Sequence, residues 1–139
     1  MNNGAAVAVA LVFVWVGMVL GISFLEAPLK FRAPGVTLSI GLGIGRLVFR
    51  ALNAVEVVLA AGIAVALAVG DAGEWVAFLV AAVALVVQLF AVRPALTRRT
   101  NAVLEGLDAP RSRAHFAYIG LEVVKVVALV VAGVVLLSV

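Results

Sequence analysis

The sequence predicts an all-α integral membrane protein, a four-helix bundle made of two helical hairpin repeats that are related in parallel. Three observations predict this fold. First, 66% of the 139 residues are hydrophobic and 12% are charged, whereas a soluble domain is about half apolar and about a quarter charged. Second, the apolar residues form four runs close to the roughly 20 residues that cross a bilayer. Third, the chain aligns with itself at an offset of 66 residues.

The four spans fill the chain, so we expect one transmembrane domain over residues 1–139. Span one (about 5–26) begins with 21 uncharged positions, and span three (about 75–93) has 18. Spans two (about 50–70) and four (about 114–137) each contain charged residues but end in a long apolar run. Because Met1 to Gly4 include no basic residue, we expect span one to be a mature helix and not a signal peptide.

Turn signals separate the spans on one side of the membrane. Ala33-Pro34-Gly35 predicts a turn after span one, and Gly106 to Pro110 predicts a break before span four. Span three is therefore expected to continue as a helix to about Glu105. Residues 36–49 are mostly apolar, and the sequence leaves open whether they extend span two or form an interfacial half-helix.

The ten basic residues predict the orientation. Nine of them fall in the two connections that follow spans one and three, whereas residues 70–74 contain only acidic charges. By the positive-inside rule, the basic connections are cytoplasmic and both termini lie outside, in a bacterial-type inner (plasma) membrane. The same clustering explains the net charge of +3 without a nucleic-acid partner and makes membrane lipid the expected neighbour.

The 66-residue offset predicts an internal duplication, with repeat units of about 5–70 and 73–139. It aligns Phe24 with Phe90, Pro28 with Pro94, and Glu56 with Glu122. Each unit holds two helices, so the copies point the same way, and we expect a pseudo-two-fold axis along the membrane normal. Pro28 and Pro94 are expected to kink the cytoplasmic ends of their helices or only to shape those ends.

Polar residues form stripes on spans two and four. Their spacing of three and four residues predicts one helical face on each span. The stripe on span four contains Arg111, His115, Tyr118, Glu122 and Lys125, and that on span two contains Arg46, Arg50 and Asn53, with Glu56 to one side. Charges at this depth are costly in lipid, so the stripes should face each other, another subunit or a water-filled vestibule.

Two interpretations of the stripes remain open. In the first, a cytoplasm-facing vestibule binds an ion, proton or small polar solute. The predicted site residues are Asn53, Glu56, His115, Tyr118, Glu122 and Lys125, with Arg46, Arg50, Arg111 and Arg113 attracting anions at the mouth. In the second, Glu122 and Lys125 form a buried ion pair that sets helix orientation, and Glu56 binds a serine, asparagine or backbone partner.

Several other functions are not expected. The chain has one histidine and no cysteine, which excludes an ordinary zinc site, so we expect no metal and no cofactor. No nucleophile elbow, zincin motif or phosphate loop is present, so we do not expect an enzyme.

Small residues predict close helix packing and an oligomer. Gly17 and Gly21, and again Gly41 and Gly45, are four residues apart, the small-xxx-small spacing that lets helix backbones approach. We expect a homo-oligomer or a subunit of a membrane complex, with span one as the contact.

Pro94 with Arg98 or Arg99 at the end of span three, and His115 seven residues before the polar Glu122, carry a family resemblance. The chain resembles small bacterial four-helix membrane proteins grouped as a domain of unknown function, which are related to an animal transmembrane protein linked to platinum-drug resistance. The resemblance implies a four-helix membrane fold and no defined biochemistry.

The sequence therefore favours a small carrier or channel-like membrane protein. A non-catalytic accessory subunit of a larger membrane complex is the main alternative, and a lipid- or pigment-binding protein is a third.

Overall fold

In the computed structural model, which describes residues 1–71, 73 and 75–138, the chain folds into four long helices. These are α1 (Asn3–Arg32), α2 (Leu38–Gly70), α3 (Val76–Leu104) and α4 (Arg113–Leu137). This part of the chain contains no strand. Each helix is long and apolar enough to cross a membrane. The predicted all-α membrane fold is confirmed, and the chain is a multi-pass integral membrane protein.

The helix ends follow local sequence signals. The Asn2 side chain caps α1 by accepting a 2.8 Å hydrogen bond from the Ala5 amide, and the Thr37 hydroxyl accepts one of 3.2 Å from Ile40 at the start of α2. Gly35 has φ +81° in the predicted turn between them, a conformation that glycine adopts without strain. Ala72 and Glu74, in the acidic connection at residues 70–74, lie outside the described residues, as does Val139.

The helices extend beyond the predicted spans at their basic ends. Residues 38–70 form one continuous helix, so residues 36–49 include no separate half-helix and most of them belong to α2. Helix α3 reaches Leu104, one residue short of the predicted Glu105. At about 1.5 Å per residue, α2 is roughly 50 Å long and exceeds the roughly 30 Å hydrocarbon core.

Pro28 and Pro94 do not end their helices. A π-helical turn precedes each proline, at Leu20–Glu26 in α1 and Gln88–Val92 in α3. The amide of the residue just before the proline donates to a carbonyl five residues earlier, from Ala27 to Ile22 and from Arg93 to Gln88. The prolines therefore act through a widened turn, a known way for a helix to continue past an irregular position.

The core of the bundle changes from apolar to polar along the bundle axis. Helix α1 packs against α2 and α4, α3 packs against α4, and α2 meets α3 near their basic ends. The half of the bundle near the termini is an apolar core that includes Val12, Ile63, Leu67, Phe78 and Leu129. The opposite half contains the polar residues that form the candidate site.

Glycines permit the closest helix contacts, but only some of them were predicted. Side-chain atoms of Phe31 and Lys30 from α1 occupy the space beside Gly41 and Gly45, so this predicted pair serves packing within the chain. Gly17 and Gly21 have open space where a Cβ would stand, and their predicted contact with a second chain stays a prediction. Gly4 was not predicted to pack closely, but a Cβ at this position would lie 2.6 Å from the Gly70 Cα.

Candidate polar site

Six side chains from all four helices meet near the middle of the bundle. Three of them, Trp15, Gln88 and Lys125, each lie about 12 residues, or roughly 18 Å, from the end of their helix nearest the termini. These residues therefore lie at the same height along the bundle axis, although they are far apart in the sequence. We call the six residues the polar cluster: Trp15 and Ser23 of α1, Glu56 of α2, Gln88 of α3, and Glu122 and Lys125 of α4.

The Lys125 ammonium is at the centre of the polar cluster. Its Nζ forms an ion pair with Glu56 Oε2 across the bundle and lies 2.5 Å from Glu122 Oε1 on its own helix. It also donates a 2.8 Å hydrogen bond to Gln88 Oε1. The predicted pairing of Glu122 with Lys125 is confirmed, and three helices are joined through one charged group.

The carboxylates accept further hydrogen bonds from neutral donors. The Trp15 indole donates to Glu56 Oε2 at 2.7 Å, the Ser23 hydroxyl donates to Glu122 Oε2 at 2.5 Å, and the Gln88 amide donates to Glu122 Oε1 at 2.8 Å. The prediction that Glu56 binds a serine, asparagine or backbone partner was wrong, because its partners are Lys125 and Trp15. The serine of the polar cluster binds Glu122 instead.

The charged centre of the polar cluster is closed to solvent, whereas Ser23 at its edge is half-buried. Glu56, Gln88 and Lys125 have 0% of their surface exposed, and Glu122 has 1%. Two grooves between α3 and α4 are lined only by apolar residues and do not include the charged groups. Among the described residues, no open vestibule reaches Glu56, Glu122 or Lys125 in this structure, because the four helices pack directly around these charged groups.

Two acceptor atoms beside the ion pairs have no hydrogen-bond partner in the described part of the chain. They are Glu56 Oε1 and Asn53 Oδ1, on successive turns of α2. Both residues are buried, with Asn53 only 6% exposed. Buried polar atoms are nearly always paired, so these two oxygens are unusual. The Tyr118 hydroxyl and two side-chain nitrogens of Arg93, toward the basic end, also have no hydrogen-bond partner among the described residues.

The predicted face of α2 was partly wrong. Glu56, which was placed to one side, is fully buried with Asn53, whereas Arg50 is exposed. The inward face follows Arg46, Phe49, Asn53 and Glu56, whose steps of three and four residues match the helical repeat. Arg50 lies about 100° around the helix from Phe49.

Most of the other predicted site residues lie toward the basic end. Tyr118 is buried one turn from Glu122, and its carbonyl accepts a 3.4 Å bond from Gln88. His115 is half-buried and packs edge-on against Phe116. Arg46 donates to Asn101, and Arg111 and Arg113 are exposed. These arginines lie on the predicted side of the polar cluster, but they do not contact it.

A group of basic and aromatic residues lies between the polar cluster and the basic end of the bundle. Its two cations, Arg93 and Lys30, were not among the predicted site residues. The Phe49 and Tyr118 rings meet edge to face at 5.8 Å. The Arg93 guanidinium lies 4.7 Å from the Tyr118 centroid, and Lys30 Nζ lies 5.8 Å from that of Phe49. Cation–π contacts of this kind accommodate charge at the edge of a membrane core.

Three members of the polar cluster were also missed. Trp15 and Ser23 were not among the predicted site residues. Gln88 was overlooked because span three was judged by its lack of charge. The available signal was that Gln88 is the one amide in the otherwise apolar run from Trp75 to Val92.

The described residues include no group of three or more histidine, aspartate or glutamate side chains arranged to hold a metal ion. Chemically, the polar cluster offers two carboxyl groups and one ammonium, and one carboxyl oxygen, Glu56 Oε1, has no partner among the described residues. Ionisable groups inside a membrane helix bundle commonly mark proton relays and ion pathways.

Comparison of the chain with protein-family models, with curated proteins and with solved structures gives no match.

Proposed function

We propose that the protein is a small membrane carrier and that the polar cluster is its ion-binding site in a closed state. The observation that carries the proposal is the convergence of Glu56, Glu122 and Lys125 from different helices, at mid-depth and without solvent. Ionisable residues cost about 2.5–3.5 kcal/mol each at the centre of a membrane helix on insertion scales, and they commonly mark ion pathways.

The distribution of polar residues favours a carrier over an open channel. On the basic side, Asn53, Tyr118 and Arg93 continue from the polar cluster toward the end of the bundle. On the side of the termini, fully buried apolar residues such as Val12, Ile63 and Leu129 close the bundle. An ion bound from the basic side would need a rearrangement of this apolar half to reach the other side, as in alternating access.

The predicted internal duplication supports this mechanism. The two π turns end at Glu26 and Val92, which the 66-residue offset aligns, and the same offset aligns Glu56 with Glu122. We infer two related hairpins of about residues 5–70 and 73–139 that would move relative to each other around the polar cluster. Their basic ends face the cytoplasm and both termini lie outside in this proposal.

Proton uptake into proteoliposomes tests the carrier proposal. The protein is reconstituted with a pH-sensitive dye inside the vesicles, and uptake is driven by a potassium diffusion potential. We expect uptake above that of empty liposomes and at least a tenfold loss in Glu56→Gln and Glu122→Gln. Glu105→Gln is the matched control, because Glu105 is exposed at the basic end. No uptake by the parent, or equal uptake by all variants, would contradict the proposal.

A non-catalytic accessory subunit is the second candidate, and one observation favours it. Apart from Glu56 Oε1, the polar atoms of the cluster are paired, which is what a device that sets helix register requires. Native mass spectrometry of protein extracted gently from its own membranes separates the candidates. A homo-oligomer favours the carrier, and a fixed ratio to foreign subunits favours the accessory role.

The third hypothesis, a lipid- or pigment-binding protein, predicts a stoichiometric small molecule in the same spectrum. The resemblance to the small four-helix bacterial family likewise stays a hypothesis, and the carrier proposal does not depend on it.

A further inference from the structure

The charges of the polar cluster do not balance when every group is ionised. One ammonium, that of Lys125, faces the carboxyl groups of both Glu56 and Glu122. The other groups in contact, from α1 and α3, are neutral: Trp15, Ser23 and Gln88. An uncompensated negative charge buried at this depth is costly, so the site has reason to bind one more positive charge.

The position of the missing charge is indicated by the unpartnered oxygens. Three of the four carboxylate oxygens accept hydrogen bonds or an ion pair, and Glu56 Oε1 alone has no partner among the described residues. One turn away on α2, the carbonyl oxygen of the buried Asn53 side chain also has no partner. Both atoms are acceptors, and two acceptors are satisfied together only when a donor hydrogen is supplied. The buried Tyr118 hydroxyl does not supply it in this structure, because it has no hydrogen-bond partner among the described residues.

The close packing limits what can supply that hydrogen. Both side chains are more than nine-tenths buried, and neither lines the two apolar grooves between α3 and α4. A water molecule or a metal ion needs a space of its own, whereas a proton needs none.

We propose that Glu56 Oε1 is a proton-binding site and that the bound proton is donated in a hydrogen bond to Asn53 Oδ1. The proton comes from bulk water and forms an O–H bond on Glu56, and its release returns it to water. In this state Lys125 pairs with one carboxylate, that of Glu122, and the polar cluster is neutral. The inference rests on the proposed function for its role in transport, where it names the proton as the ion.

Infrared difference spectroscopy tests the site without measuring transport. A protonated carboxyl group has a C=O stretching band separate from the carboxylate bands, and deuterium exchange shifts it. We expect this band in the parent protein at neutral pH and its loss in Glu56→Gln, where Glu122 alone faces Lys125. Glu105→Gln, which alters an exposed carboxylate, should leave it unchanged.

A second pair of variants determines which carboxyl group holds the proton. Asn53→Leu removes the proposed acceptor of Glu56, and Ser23→Ala removes the donor to Glu122. We expect the acid band to move to higher frequency in Asn53→Leu and to stay in place in Ser23→Ala. Absence of the band in the parent overturns the inference, and so does a shift in Ser23→Ala alone.

The two proposals fail in different ways. If the acid band is present and assigned to Glu56 but proteoliposomes show no proton uptake, the proton site stands and the carrier function is wrong. If uptake occurs but no acid band is found, the carrier stands and this proton site is wrong.

Discussion

Glu56 and Lys125 form an ion pair across the bundle, from α2 to α4, with neither side chain exposed to solvent. The two residues belong to different halves of the chain. The pair therefore joins the first hairpin to the second at the level where the polar core meets the apolar core. Its energetic role follows from the cost of leaving either charge alone in a site without water.

Replacing Lys125 should destabilise the fold more than any other single change in the polar cluster. Lys125→Met leaves two buried carboxyl groups facing each other, and breaking a buried pair costs about 3–5 kcal/mol. We expect a clear drop in the thermal unfolding midpoint, measured by circular dichroism in detergent. Arg50→Gln, at an exposed position, is the control.

Neutralising the whole charged set should recover much of that loss. In the triple variant Glu56→Gln, Glu122→Gln, Lys125→Met, no buried charge remains, and replacing a complete buried ion set is often neutral or better. A triple variant as unstable as Lys125→Met alone would show that size and shape, not charge, set the cost.

The hydrogen bond from Trp15 should stabilise the closed cluster. Trp15→Phe keeps a large buried ring but removes the indole donor to Glu56 Oε2. Hydrogen bonds to charged groups contribute about 1.5–3 kcal/mol, so we expect a lower unfolding midpoint. Trp75→Phe is the matched variant, because Trp75 is only half-buried and contacts Phe78 by its ring edge. Equal midpoints for the two variants would rule out this role for Trp15.

Two glycines of α1 should respond oppositely to alanine. A Cβ at Gly4 would lie 2.6 Å from the Gly70 Cα, whereas one at Gly17 would meet nothing within 4 Å. We expect Gly4→Ala to destabilise the protein by about 1–3 kcal/mol through overpacking. Gly17→Ala should be neutral or mildly stabilising, because alanine favours the helix. If Gly17→Ala instead weakens a homo-oligomer in native mass spectra, its open face is a contact between subunits.

The orientation of the chain is open to a labelling test, since the protein has no cysteine of its own. Asn3→Cys and Ser138→Cys place a thiol near each terminus, and Arg50→Cys places one at the exposed basic end. By the positive-inside rule, a membrane-impermeant maleimide should label the first two in intact cells. It should reach Arg50→Cys only after permeabilisation. The reverse pattern would place the basic connections outside.

The sequence alone determined the number of helices, their approximate spans and the placement of Glu56, Glu122 and Lys125 away from lipid. These properties depend on composition and on the cost of placing charge in lipid, which hold whatever the neighbours are. It also determined that Glu122 pairs with Lys125, because residues three apart on one helix are neighbours in any helical fold. The 66-residue offset aligned Pro28 with Pro94, but the π-helical turn before each proline was not predicted.

Only the tertiary structure decided which residues complete the site. Glu56 binds Lys125 and Trp15, and Gln88 connects Glu122 with Lys125, because of the rotation and axial level of four separate helices. In a chain so rich in valine, alanine and leucine, apolar periodicity does not indicate the rotation or the axial level of each helix. The reason is that the lipid around the bundle is as apolar as the protein interior. Close backbone contacts such as Gly4 with Gly70, together with the polar bonds themselves, determine them.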